Sequence, residues 1–114
     1  MRDRAPHARI LCVDYLTVLP PAYRDDLPFA EPTYHRLSAL ANGLNTAVAH
    51  ACSDHHVGLV TASAHSQAHH AWSDEPWTSG WTRPRPGGNA AFHPNTNGMS
   101  AVTDLIADQL TVAD

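Results

Sequence analysis

The residues best suited to chemistry lie late in the chain, in the loop 87–98. There His93 is followed by Pro94, Asn95, Thr96, Asn97 and Gly98, and then by an amphipathic run from Met99 to Leu110. Histidine is the side chain that both takes and returns a proton near neutral pH, so a positioned histidine is a general base. Proline is excluded from a helix interior but suits its entry. The helix is therefore expected to begin near Asn95 or Thr96, with His93 on the rim at its N-terminus, where loop residues work on a rigid scaffold.

A second chemistry is open to His65 and His69. Four residues apart, they would share one face of a helix, as zinc-binding pairs do, with Asp74 or His93 as a third ligand. No glutamate follows His65, so the zinc-protease pattern is absent. The plainer reading is a polar loop rich in histidine. Ser63, Ser66, Ser73 and Ser79 also fall near this rim. None is expected in a strand-turn-helix elbow, so none reads as a nucleophile. Asp54-His55-His56 reads as a helix-to-strand turn.

These residues need elements to hold them. Residues 9–16, with Ile10-Leu11-Cys12-Val13 at their centre, form a short apolar run of the kind buried on both faces of a parallel sheet. Pro20 and Pro21 end it, and an irregular loop follows to Pro28. A helix is expected from Pro32 to Cys52, with an apolar stripe of Leu37, Leu40, Ala41, Leu44, Val48 and Ala51. Gly43 within it costs about 1 kcal/mol against alanine, and such a glycine often admits a close backbone neighbour. Residues 56–61 read as a second buried strand. Strand, helix, strand is the right-handed crossover of parallel strands. The last helix is expected over 97–110, with Val102, Leu105, Ile106 and Leu110 inward. Residues 62–91 form a long loop without clear period, which marks a binding loop or lid or a disordered segment. It follows the carboxyl end of a strand, where α/β folds place their ligands. Trp72, Trp77 and Trp81 within it either line a hydrophobic pocket or pin the loop to the sheet.

Composition narrows the class. The chain has 114 residues, enough for a single small domain. Its formal charge is −4, which argues against nucleic acid as a partner. There is no apolar run of about 18 residues for a membrane span, and residues 1–7 carry no secretory leader pattern. Two cysteines, Cys12 and Cys52, are no disulfide framework and read as packed thiols. No cofactor is expected. The compartment and the oligomeric state are not legible.

Three stretches resemble a known family. Ala5-Pro6-His7-Ala8 leading into residues 10–16 and Leu19-Pro20 resembles a late strand of the SGNH hydrolases, the GDSL-type esterases and lipases. Leu40-Ala41-Asn42-Gly43-Leu44-Asn45 resembles that family's following helix. Phe92-His93-Pro94-Asn95-Thr96-Asn97-Gly98 resembles its catalytic-histidine block. The resemblance implies an α/β fold, part of a three-layer α/β/α sandwich with parallel strands. It implies a serine esterase acting on small-molecule or lipid esters, with His93 as the base. The family is often secreted.

The departures from that pattern are informative. An aspartate usually stands three residues before the histidine, and here that position is Ala90. Some members use a backbone carbonyl instead, which Ala90 or a near neighbour would supply to orient His93. Where the family has Gly-His and a nearby cysteine, Ala64-His65 keeps the histidine alone, with Ala68 and His69 beyond. No Gly-Asp-Ser stretch and no Gly-x-Asn-Asp stretch occurs. The resemblance is thus to the C-terminal portion, without nucleophile or oxyanion donors. Loss of either costs orders of magnitude in rate, so little esterase activity is expected of the chain alone. The alternatives are a small metal-binding module on His65, His69 and His93, and an inert remnant with an open sheet edge.

Overall fold

The computed structural model describes residues 2–81, 86 and 90–112. Gly87, Gly88 and Asn89 of the loop before His93, and Pro84 and Arg85, lie outside the described residues. The order of elements is β1 (Leu11–Val13), α1 (Glu31–Asp54), β2 (Gly58–Val60), α2 (Ala62–His65) and α3 (Thr96–Thr111), with 3-10 turns at Arg2–Arg4 and Gln67–His69. The class is α/β, with a two-stranded parallel sheet pairing Leu11 with Gly58, Cys12 with Leu59 and Val13 with Val60. The N–H of Asp14 donates to the Val60 carbonyl and extends the ladder by one rung.

The expected helices form. Pro32 sits in the first turn of α1, where its missing N–H is no loss. His56, just past the helix, takes the left-handed conformation that reverses the chain into β2. Both strands are shorter than their apolar runs. Of the long loop expected over 62–91, residues 82–85 and 87–89 lie outside the described residues, and the start is not structureless. It winds into α2 and a 3-10 turn, too short for periodicity to reveal.

The face that α1 turns inward also departs from expectation. Leu37, Leu40, Ala41, Leu44 and Ala51 are exposed, and Leu40 keeps 69% of its surface in water. The inward row is Tyr34, Ser38, Asn45, Val48 and Cys52, again at helical spacing but polar in its middle. Its ends are fixed: Tyr34 is buried and its hydroxyl donates to the Pro20 carbonyl, and Cys52 is buried. A two-stranded sheet is too narrow to cover the leucine row as well. Gly43 faces open space, so no backbone approaches it.

Both α1 and α3 pack on β2. Among the described residues the buried apolar set is small: Leu16, Leu27, Tyr34, Cys52, Val60 and Ala62. The accessible surface is 8066 Å², against about 6,100 Å² for a compact monomer of this mass. The radius of gyration is 16.1 Å, against about 13 Å for a compact domain of this length. The chain presents roughly a third more surface than its mass requires.

Candidate functional site

His93 lies in a short antiparallel pairing between residues 77–79 and 92–95, bridged at Thr78 and Pro94. The N–H of Ser79 donates to the His93 carbonyl (2.7 Å), the N–H of Phe92 to the Ser79 carbonyl (3.1 Å), and the N–H of Asn95 to the Trp77 carbonyl (2.9 Å). Asn95 then caps α3. Its side-chain oxygen accepts from the Gly98 N–H at 2.9 Å, and its amide nitrogen donates to the Pro76 carbonyl at 2.6 Å. Gly98 is buried against this strand, and a Cβ there would run into the Trp77 carbonyl. His93 therefore stands at a helix entry fixed on both sides.

Ser79 closes the turn. Its hydroxyl donates to the Ala90 carbonyl (2.6 Å) and accepts from the His93 N–H (3.2 Å), which also reaches the Ala90 carbonyl at 3.4 Å. The Ala90 carbonyl thus braces the main chain of His93. The His93 ring is exposed and has no hydrogen-bond partner among the described residues. Phe92, just before it, is held at φ 61°, a conformation a bulky residue adopts only under constraint. The constraint is visible: Phe92 lies against Trp72 and Trp81, with ring centroids 5.8 and 5.6 Å apart.

Tyr15 joins this turn to the carboxyl edge of the sheet. It stands two residues past β1, and its hydroxyl donates to the Phe92 carbonyl at 2.7 Å. Loss of solvent pushes its phenol above the ordinary value, so it remains a donor. Beside it, the buried Asp14 carboxylate accepts from the Ser63 N–H (2.8 Å) and the Ser63 hydroxyl (2.5 Å). A buried carboxylate needs such partners. Ser63 corrects the reading of the loop serines, because it lies where β2 turns into α2, a strand-turn-helix junction. Its hydroxyl is committed to Asp14 rather than to a histidine.

The histidines proposed as metal ligands do not gather. α2 ends at His65 and Ser66 breaks the path to His69, so the two do not share one helix face. The His65 Nδ1–H donates to the Thr61 carbonyl, and the His69 Nδ1–H to the Glu75 carbonyl. His69 also stacks on Trp77 with centroids 4.1 Å apart. Among the described residues no three potential ligands come together. His70 is buried, and its Nδ1 accepts from the Trp72 N–H. Burial, aided by Arg24 and opposed by Asp26, holds its pKa below the ordinary value. Cys12 and Cys52 are free thiols. Burial, and then Cys12 and Asp14 beside it, push the Cys52 thiol up. Cys52 is buried and Cys12 half-buried.

The loop after β1 and one side of α1, from Ser38 through Ala41, Asn42 and Leu44 to Asn45, form a groove of about 350 Å³. Leu16, Leu19 and Pro20 give it an apolar side, and Asn42, Asn45 and Gln67 a polar one. Tyr15 lies between this groove and the His93 turn. None of the three tryptophans lines it. Trp72 contacts Phe29 and Phe92, and Trp77 contacts His69, so these two pin the loop.

Type and spacing single out neither Asp14 nor Tyr15, and they set Ser79 aside as a nucleophile without showing its strap. Asp14 carried one signal, a charge at the end of an apolar run. The pairing that gives Ser79 its place is made across 14 residues and leaves no local trace. No family model matches the chain, and no curated protein or solved structure is similar to it.

Proposed function

We propose that this chain carries the proton-shuttling part of a serine ester hydrolase of the SGNH type, with His93 as general base. In this reading the complete fold is a three-layer α/β/α sandwich, to which β1, β2 and the long helices contribute. The attacking serine and the oxyanion donors come from polypeptide outside these 114 residues. His93 takes the proton from that serine's hydroxyl and returns it to the leaving alcohol. The substrate is a small-molecule or lipid ester.

The observation that carries this reading is the setting of His93. Its ring is open to solvent, its main chain is strapped by Ser79, and Tyr15 ties its turn to the end of β1. A fixed backbone puts the ring at a defined place on the rim, and its open face leaves it free to meet a hydroxyl and an orienting group from added polypeptide. The surplus accessible surface also agrees with apolar faces that more polypeptide would cover.

The test extends the protein along its own reading frame. DNA upstream of Met1 is expected to encode a Gly-Asp-Ser stretch in frame, and the extended protein to hydrolyse p-nitrophenyl acetate. His93→Ala is then expected to lower kcat by at least about 10³-fold, as loss of a triad member does. The 114-residue chain alone is expected to give a rate that His93→Ala leaves unchanged. An upstream frame without a serine motif, or equal rates for the extended protein and its His93→Ala variant, overturns the proposal.

A further inference from the structure

We propose that the groove between the β1–α1 loop and α1 binds the neutral acyl portion of the ester, an inference that rests on the ester-hydrolase reading. The groove is built before any ligand arrives. Its loop wall is held by five hydrogen bonds. The Tyr15 hydroxyl donates to the Phe92 carbonyl, the Thr17 N–H to the Ser66 hydroxyl (2.8 Å), the Thr17 hydroxyl to the Ser63 carbonyl (2.8 Å), and the Tyr34 hydroxyl to the Pro20 carbonyl (2.7 Å). The N–H of Ala71 reaches the Val18 carbonyl at 2.9 Å and fixes the middle. A wall braced in this way loses little freedom on binding.

Its lining selects the ligand. No charged side chain contributes to it, and the whole chain carries a net charge of −4. An anion would enter without a counter-charge and against the field of the protein. The loop supplies aliphatic surface for hydrocarbon. Facing it, Ser38, Asn42 and Asn45 stand at spacings of four and three along one side of α1. Their hydroxyl and amides offer donors and acceptors for an ester carbonyl and its alkoxy oxygen. This also gives Ser38 and Asn45, the polar members of the inward row of α1, a part to play. At about 30 Å³ per water-sized group, 350 Å³ holds about a dozen such groups, which suits a short to medium acyl ester. Tyr15 lines the groove and bonds the Phe92 carbonyl, so a bound acyl group would lie one side chain away from the turn that carries the proposed base.

The experiment uses the 114-residue chain and needs no turnover. Ethyl butyrate is titrated into the ¹⁵N-labelled protein, with butyrate as the charged counterpart. Saturable shifts are expected in the side-chain amides of Asn42, Asn45 and Gln67 with the ester, and none with butyrate at equal concentration. Ala41→Trp, which fills the groove from an exposed helix position, is expected to weaken the ester at least tenfold while the remaining spectrum stays dispersed. The absence of saturable shifts, equal shifts with butyrate, or shifts that grow with protein concentration in the absence of ester would each overturn the inference. The last would assign the groove to a second copy of the chain. Binding requires no nucleophile, so a failure here is separate from a failure of the hydrolase reading. An active extended protein whose groove is silent defeats only the groove, and an ester-binding chain whose extended form ignores His93→Ala defeats only the catalysis.

Discussion

The rim around His93 and the outer face of α1 are built on opposite principles. Around His93, polar groups over-determine the backbone. Ser79, Tyr15 and Asn95 each tie two segments together, and Gly98 lets α3 dock directly on the Trp77 main chain. On α1, by contrast, Leu37, Leu40 and Leu44 are exposed, Leu40 by 69% and Leu44 by 59%. Apolar surface in solvent contributes no stability, since the gain comes only when it is removed from water. The fold thus fixes a position with hydrogen bonds while leaving apolar area uncovered.

The contrast is broken most severely at Gly98. Alanine there drives a Cβ into the Trp77 carbonyl, so the first turn of α3 must move away from residues 76–78. Overpacking of this kind costs about 2–3 kcal/mol. Gly98→Ala is expected to lower Tm by more than about 8 °C in a scan followed by circular dichroism, and to release the His93 turn with it. An unchanged melt would mean that α3 is not docked on this strand in solution.

A smaller effect is expected at Ser79. Ser79→Ala removes the hydroxyl that joins Ala90 to His93, while the backbone pairing of Ser79 remains. One such bond is worth about 1 kcal/mol. The amides of Phe92 and His93 are expected to exchange about fivefold faster, with little change elsewhere. Exchange rates that do not move at these two amides would show the strap to be dispensable.

Much of this architecture was legible in the chain. Pro32, the period of α1, the apolar runs at 11–13 and 58–60, and the helix entry after Pro94 announce their elements locally. So does the place of His93 before a helix. The inward face of α1 was not legible. Periodicity reports which residues share a stripe, and the leucine row is a true stripe, but which stripe is covered depends on how much sheet exists to cover it. Two short strands leave room for one face, and Tyr34 and Cys52 decide which. The clamp of Asp14 on Ser63 spans 49 positions, and the strap of Ser79 spans 14. Contacts of that range have no signature in composition or spacing.

The smallest expected effect sharpens the comparison from its other side. Leu40 keeps 69% of its surface exposed, so Leu40→Gln removes no buried contact. A substitution of this kind stays within about 0.5 kcal/mol, and Tm is expected to move by less than about 4 °C. The buried Leu16 sets the opposite limit, since truncating a core leucine costs about 2–5 kcal/mol. If Leu40→Gln lowered Tm as a core truncation does, the leucine row would be covered in solution by a second copy of the chain. Sedimentation of the parent protein would then show a dimer that the variant loses. If Tm holds in the 114-residue chain but falls in the protein extended upstream, the added polypeptide is what packs on this face. The same leucine would then be neutral in the fragment and structural in the whole.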